Sequence, residues 1–107
     1  MKNKLAQKSF KEKVWELCKQ IPCGRVSTYK EIAKKLEIKG YRAVGNALNK
    51  NPYSPEVPCH RVVCSNGKVG GFSKGIEKKI NLLKKEGIKI ENNRIADFEK
   101  ILYNFGK

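Results

Sequence analysis

Three prolines crowd into the segment Asn51–Pro58, and this segment constrains the fold more than any other local feature of the chain. Proline fixes φ and has no N–H to donate, so the segment cannot continue a helix or pair inside a sheet. Each residue before a proline is also pushed toward extended backbone. We therefore predict an ordered loop here, with helical patterns before it and a turn-rich pattern after it.

Apolar residues before the loop recur at helical spacing in three stretches. The first stripe, with Ser9 as its N-cap, consists of Phe10, Val14, Leu17, Cys18 and Ile21. The second helix is capped by Ser27 or Thr28, and a turn through Lys39–Gly40 leads to the third helix at Arg42–Asn49. Two short helices joined by a tight turn in a basic chain are typical of a helix-turn-helix, which we place at residues 27–49.

The pattern after the loop predicts a β-hairpin followed by two helices. Residues 61–64 and 68–69 are expected to pair around Asn66–Gly67, a favoured hairpin turn. A glycine-rich stretch follows, and a helix with apolar residues at Ile76, Ile80 and Leu83 is expected to end at Gly87. The tail from Arg94 to Asn104 has helical spacing and predicts a last helix packed on the domain.

The charge of the chain favours a polyanionic partner. Lys and Arg number 24 against 10 acidic residues, a formal net charge of +14. Nucleic acid is the first candidate and an acidic membrane surface the second, although lysine-rich composition can also reflect genome bias or growth temperature. The chain has no apolar run of spanning length and no signal-peptide pattern, so we expect an intracellular, cytoplasmic protein with no membrane association.

The cysteines form two pairs with four residues between partners. They are Cys18, Cys23, Cys59 and Cys64. This spacing formally allows a zinc site, but Cys18 lies on the predicted buried face of a helix and Cys64 in a predicted strand, where small buried cysteines are common. We predict no metal site.

Potentially reactive side chains are most concentrated in Pro58-Cys59-His60-Arg61, which contains the one histidine of the chain. A thiol is strongly nucleophilic only as thiolate, and a nearby imidazole can remove its proton. Adjacent side chains on extended backbone point apart, so this pair needs a turned backbone or a bridging water. A third group should orient the histidine, and spacing alone leaves all ten acidic residues open.

These residues resemble the active-site signature of the O6-alkylguanine-DNA alkyltransferases, and the similarity runs from about Phe10 to Glu91. Five blocks match in the family's order: Val26–Ala33, Arg42–Gly45, Asn51–Pro52, Val57–Val63 and Val69–Ser73. The resemblance implies a mainly α fold with a small β-hairpin and a winged-helix-like helix-turn-helix. We expect one domain over residues 1–107, with an active-site loop and hairpin at about 51–75 and C-terminal helices at about 75–105.

The resemblance also implies an irreversible reaction, in which an alkyl group moves from guanine O6 in double-stranded DNA to Cys59. His60 would take the thiol proton through a water, Glu86 would orient His60, and Asn51 would brace the turn. Tyr29 would hydrogen-bond the departing guanine. One alkyl group is transferred per protein, and no cofactor is needed.

For DNA, the resemblance implies that the damaged base is flipped out and that Arg42 fills the space it leaves. Ser73 and the loop around Gly70 would contact the base, as would Tyr29. We expect the protein to act as a monomer.

Three alternatives stay open at this point. Related alkyltransferase-like proteins consist of this domain alone, lack the nucleophilic cysteine and bind alkylated DNA without repairing it, whereas Cys59 is present here. A plain helix-turn-helix regulator leaves the Cys–His pair unexplained, and a cysteine hydrolase would need an oxyanion hole that the sequence does not reveal. Family members usually carry a further N-terminal domain, and the chain is expected to begin near the start of the alkyltransferase domain.

Overall fold

The computed structural model describes residues 9–52, 56–72 and 74–105. Five helices lie in these residues: α1 (Phe10–Gln20), α2 (Tyr29–Lys35), α3 (Arg42–Asn49), α4 (Ile76–Lys85) and α5 (Phe98–Ile101). A 3-10 turn spans Cys59–Arg61. The short strands are β1 (Ser27–Thr28), β2 (Val62–Val63), β3 (Ile90–Glu91) and β4 (Arg94–Ile95).

Helix α1 begins where its sequence pattern predicts. The Ser9 side chain accepts a hydrogen bond from the Glu12 N–H, and the Glu12 carboxylate accepts one from the Ser9 N–H. This reciprocal capping box satisfies two N–H groups that a helix start leaves without partners. The predicted stripe faces inward from Val14 onward, with Val14 and Cys18 fully buried, whereas Phe10 at the start of the helix is exposed.

Helices α2 and α3 form the predicted helix-turn-helix. The Thr28 hydroxyl caps α2 by accepting from the Glu31 N–H at 3.0 Å. The chain leaves α2 through Glu37, which has a left-handed φ of 59°, so the reversal begins before the Lys39–Gly40 turn that the sequence indicates. Helix α3 packs against α1, where the Trp15 indole donates to the Ala47 carbonyl at 2.9 Å.

Strand β2 pairs with β1 in parallel, which corrects the predicted hairpin at residues 61–69. The register sets Ser27 opposite Val62 and Thr28 opposite Val63. The chain still reverses after Cys64, whose N–H donates to the Lys68 carbonyl at 2.9 Å, but Lys68 then bridges to another strand at Arg94. Both valines of β2 are fully buried, so β2 has no solvent face, and burial on both faces is typical of parallel pairing.

The tail is a hairpin followed by a short helix, so the continuous helix predicted for residues 94–104 is wrong. Strands β3 and β4 are antiparallel. Asn92 and Asn93 turn between them with φ of 52° and 60°, the positive angles that a two-residue hairpin loop requires. Asp97 is also left-handed, at φ 55°, which keeps α5 separate from β4. The tail does return to the domain, because Leu102 bridges to Val26.

Two apolar clusters hold these elements together. The first joins α1, α2 and α3 and includes Cys59 and Val62, whereas the second lies around α4 and the β3–β4 hairpin and includes Val63. The segment from Cys59 to Val63 therefore runs between the clusters and is held from both sides. None of the helices in the described residues is long and apolar enough to cross a membrane.

Candidate active site

A tight turn held by Asn51 places Cys59. Pro58 has φ −80° and ψ 64°, and the Cys59 N–H donates back to the Val57 carbonyl at 2.8 Å. This is an inverse γ-turn. The same carbonyl accepts from the buried Asn51 amide at 2.9 Å, and the Asn51 N–H donates to Leu48 at the end of α3. The Cys59 residue, 5% exposed, is thus tied to the helix-turn-helix.

His60 and Arg61 both contact the Glu86 carboxylate. His60 Nε2 lies 2.9 Å from Glu86 Oε2. The Arg61 guanidinium is bidentate, with Nε at 2.9 Å from Oε1 and Nη2 at 2.7 Å from Oε2. A third Arg61 nitrogen, Nη1, donates to the Ile21 carbonyl at 2.7 Å, which ties this network to the end of α1.

These contacts decide how His60 is protonated. Burial lowers the pKa of His60, and this effect exceeds the opposing effect of its hydrogen bond to Glu86. Burial by itself would raise the pKa of Glu86, but the hydrogen bonds from Arg61 and His60 outweigh it and lower that pKa. An ionised carboxylate only accepts, so at neutral pH His60 is uncharged and carries its proton on Nε2. The lone pair is then on Nδ1, which is buried and has no hydrogen-bond partner among the described residues.

The end of helix α4 places Glu86. Gly87, at φ 87°, is the left-handed residue after the helix. Its N–H donates to Lys84, and the Ile88 N–H donates to Leu83. This is the Schellman arrangement, which stops the helix and seats Ile88 in the core. Glu86 is therefore held at the C-cap of α4, beside the Cys59–Arg61 turn.

Tyr29 lines a cavity between the helix-turn-helix and the loop after β2. The cavity has a volume of about 310 Å³ and is lined by Tyr29, Gly45, Asn49, Gly71 and Phe72. That size is at the lower end of small-molecule sites, which span roughly 300–1,000 Å³. Burial raises the pKa of the Tyr29 phenol to about 12, so the phenol keeps its proton at neutral pH and can donate it in a hydrogen bond.

Gly70 forms the edge of this region at a conformation that favours glycine. Its φ is 79°, and a Cβ at this position would lie 3.0 Å from Cys64 Sγ and 3.6 Å from the Tyr29 hydroxyl. The loop after β2 can therefore pass this close to both side chains because residue 70 has no side chain.

Two predicted DNA-contacting residues remain, Arg42 and Ser73. Arg42 is exposed at the first position of α3. Ser73 lies outside the described residues. Among the described residues, no group of three or more His, Cys, Asp or Glu side chains is placed to hold a metal ion. Cys18 is buried and Cys23 is exposed, both as free thiols.

Two residues of the site are not predicted from the sequence. Arg61 follows His60 directly in the signature, which is the signal that could have indicated it, but its partner Glu86 is distant in sequence. Lys79 is fully buried and donates to the Val62 carbonyl at 2.7 Å and to the Gly71 carbonyl at 3.0 Å. Nothing in the local sequence Glu77-Lys78-Lys79 distinguishes this lysine from its exposed neighbours.

Comparisons with known proteins identify the relatives of this chain. The family described as "6-O-methylguanine DNA methyltransferase, DNA binding domain" matches residues 9–88. A methylated-DNA–protein-cysteine methyltransferase of Methanosarcina mazei is 49% identical over 85 residues, covering 78% of this chain and 51% of that protein. The chain thus spans about half the length of this curated relative.

Solved structures show the same likeness. Mycobacterium tuberculosis OGT in complex with DNA superposes with a TM-score of 0.70 at 41% identity, covering 74% of this chain and 50% of the other. Schizosaccharomyces pombe (S. pombe) Atl1, crystallised with damaged DNA containing O6-carboxymethylguanine, gives a TM-score of 0.79 at 29% identity and covers 89% of this chain and 94% of its own. Because this family matches residues 9–88, which are most of the chain, the chain belongs to the family of the 6-O-methylguanine DNA methyltransferase DNA-binding domain.

Proposed function

We propose that the chain repairs DNA by transferring an alkyl group irreversibly from O6-alkylguanine to Cys59. The observation that carries this proposal is the His60–Glu86 contact beside the braced Cys59 turn, which leaves His60 Nδ1 as a buried base. The names of the curated relatives support the same chemistry. His60 and Glu86 act together with Asn51, which holds the turn.

The chemical step begins at the thiol. His60 takes the Cys59 proton at Nδ1 through a water molecule, and Glu86 stabilises the resulting imidazolium. The sulfur then attacks the alkyl carbon, so that a C–S bond forms while the bond from that carbon to guanine O6 breaks. Guanine leaves with the electron pair and is neutralised by a proton from the Tyr29 phenol. The phenol is then reprotonated by the proton that His60 took from Cys59. The net change replaces the thiol proton with an alkyl group.

The reaction is stoichiometric because the product is a thioether. An alkyl thioether is stable to water at neutral pH, so each protein accepts one alkyl group. The chemistry needs neither a metal nor a soluble cofactor.

Access to O6 requires that the base leave the duplex. An enzyme that acts on a stacked base must flip it out, at a cost of a few kcal/mol. We assign the flipped base to the cavity beside Tyr29, with the loop at Gly70 as its edge, and we propose that Ser73 contacts the base. Arg42, exposed at the start of α3, enters the stack in place of the base. Double-stranded DNA is the partner, the monomer is the acting species, and in a prokaryote its compartment is the cytoplasm.

Intact-protein mass spectrometry tests this function directly. The protein is mixed with duplex DNA that carries one O6-methylguanine, and peptide mapping locates the change. We expect each protein molecule to gain the mass of one methylene, confined to Cys59, because a methyl replaces the thiol proton. Unmethylated duplex is the control. An unchanged mass, or a methyl group elsewhere, would refute transfer to Cys59.

A second candidate is recognition of the lesion without repair. The likeness to Atl1, which was crystallised with alkylated DNA and is matched over nearly its whole length, is the observation that favours it. This candidate predicts tight binding to the methylated duplex with no change in protein mass. The buried base beside Cys59 has no task under this candidate, and we therefore place it second.

A further inference from the structure

Lys79 is the largest fully buried side chain in the described residues, and the proposed chemistry gives it no task. Lysine is almost never buried completely, because removing its charge from water is costly. The burial lowers the pKa of Lys79 to about 8, against its usual value near 10.5. Burying the ammonium costs free energy that a leucine or methionine at this position would not cost.

The contacts of the ammonium join two separate segments of the chain. Its Nζ donates to the Val62 carbonyl on β2, three residues after Cys59, and to the Gly71 carbonyl in the loop after β2. Both partners are uncharged carbonyls, so each bond is charge-assisted on one side only. Helix α4 therefore fastens the loop onto β2, the strand that follows the turn with the nucleophile.

The same ammonium is close to two of the residues that line the cavity assigned to the flipped base. Gly71 lines the cavity beside Phe72, and Tyr29 lines it from α2. Lys79 Nζ is 5.9 Å from the centre of the Tyr29 ring, within the range of a cation–π contact. The titratable groups around Lys79 include the thiols of Cys18, Cys59 and Cys64, which raise its pKa, and His60, whose pKa Lys79 lowers.

We propose that Lys79 is a positioning residue, which holds the Gly70–Phe72 loop and the Tyr29 ring in the arrangement that admits the extruded base. The inference rests on the proposed alkyl transfer, because the cavity is taken to be the place of the damaged base. Lys79 thereby determines how tightly the damaged base is held, rather than how fast the alkyl group moves once the base is bound.

The experiment compares Lys79→Met with Lys78→Met. Methionine keeps the length and apolar stem but removes the ammonium, and Lys78 is the exposed neighbour on the same helix. Single-turnover methyl transfer is measured over a range of concentrations of a short single strand carrying O6-methylguanine, which needs no base flipping. This gives a limiting rate and a half-saturating concentration for each protein.

We expect Lys79→Met to raise the half-saturating concentration about tenfold or more, since two charge-assisted hydrogen bonds are lost. Its limiting rate should stay within about threefold of the unmodified protein, as should both constants of Lys78→Met. A merely structural lysine would instead reduce the reactive fraction and the melting temperature. An unchanged half-saturating concentration, or a loss confined to the limiting rate, would overturn the positioning role.

Amide hydrogen exchange provides a second measurement that does not depend on transfer. Lys79→Met should lower the protection of the Gly70–Phe72 amides relative to Lys78→Met, with α1 unaffected. If the variant does not fold, the same loop is followed in the Cys59→Ala protein as the pH rises through about 8, where Lys79 loses its charge. Its protection factors should then fall, and constant protection would contradict the proposal. If the unmodified protein transfers no methyl group, the proposed function fails while the exchange result still tests the loop contact.

Discussion

The two nitrogens of His60 lie in different surroundings, and this difference sets the chemistry at the scale of single residues. Nε2 meets a carboxylate that Arg61 keeps ionised, whereas Nδ1 is buried without a partner among the described residues. A histidine next to a cysteine in sequence is poorly placed on extended backbone. Here the γ-turn at Pro58 and the 3-10 turn after it change the direction of the chain, so the pair shares one buried site.

Replacing the nucleophile should separate chemistry from affinity. We expect Cys59→Ala to abolish methyl transfer and to bind alkylated duplex within a few-fold of the unmodified protein, because DNA contacts are made by other residues. Mass spectrometry and fluorescence anisotropy measure the two properties on the same samples. Residual methyl transfer by this variant would mean that another residue is the acceptor.

The pKa shifts at Glu86 and His60 predict a loss of stability toward acid. Both pKa values are lowered in the folded protein, so the unfolded chain binds more protons as the pH falls. The free energy of unfolding should decrease below about pH 6.5 as the unfolded His60 titrates, and further below about pH 4.5 as Glu86 does. The stabilisation from Glu86 is complete above its unfolded pKa and lost as the pH falls through its folded one.

Glu86→Gln tests this assignment by chemical denaturation at several pH values. The variant should be less stable than the unmodified protein by about 1–3 kcal/mol at neutral pH, and the gap should shrink below about pH 4.5. Glu77→Gln, on the exposed side of α4, serves as the control and should show neither effect. A gap that stays constant with pH would show that the carboxylate charge is not what stabilises the network.

Arg42 distinguishes insertion into the base stack from an ordinary phosphate contact. If it fills the space of the flipped base, Arg42→Ala should slow methyl transfer strongly in duplex DNA but little in a short single strand, where no stack is broken. Lys39→Ala, another exposed basic position nearby, should produce only a small and uniform loss. Single-turnover rates on both substrates measure the difference, and equal fractional losses for Arg42→Ala would reduce its role to charge.

At the scale of elements, α4 serves the site from two positions. Lys79 and Glu86 lie seven residues apart, about two helical turns, and both face the segment that carries Cys59. Leu83, fully buried between them, anchors the helix in the second apolar cluster. The loop that precedes α4 depends on it through Gly71, so helix, loop and nucleophile form one unit.

The short distance between this loop and Cys64 predicts how much a methyl group at position 70 would lower the free energy of unfolding. Gly70→Ala must adopt φ 79° and also bring Cβ to 3.0 Å from Cys64 Sγ. Gly87→Ala is the matched control, since its φ is 87° with nothing within 4 Å of the new Cβ. We expect Gly87→Ala to cost about 1 kcal/mol from backbone strain and Gly70→Ala roughly 1–3 kcal/mol more.

Thermal or chemical denaturation measures both glycine variants. The double variant Gly70→Ala with Cys64→Ala should recover most of the additional loss, because the crowded sulfur is gone. Equal costs for the two glycines would contradict the close contact in the structure.

At the scale of the whole molecule, the net charge of +14 is the dominant feature. Such a charge increases association with DNA by releasing counterions from phosphates. The equilibrium constant for duplex binding should fall with salt, with a slope of about −0.9 in log K against log salt for each phosphate contacted. Titrations at several salt concentrations measure it, and a slope near zero would mean that the lysines serve solubility instead of binding.

Local signals were sufficient to predict much of this protein. The caps at Ser9 and Thr28, the glycine after α4 and the apolar spacing in three helices gave the helix-turn-helix and its supports, because capping and periodicity act within a few residues. The Cys59–His60 pair was visible for the same reason. The hairpin and tail predictions failed where a local pattern competed with distant partners. Strand β2 could pair with the residues that follow it or with β1, and burial favoured β1.

The tertiary structure decided which distant groups meet. His60 meets Glu86 across 26 residues, and Lys79 meets Val62 across 17. Ten acidic residues and many lysines were equivalent in the sequence. Only packing between the two clusters singles out Glu86 and Lys79. The sequence by itself thus determined the helices and the nucleophile, through forces acting over one or two turns. The orientation of His60 and the attachment of the Gly70–Phe72 loop depend on desolvation and on hydrogen bonds between remote segments. These exist only once the chain has folded.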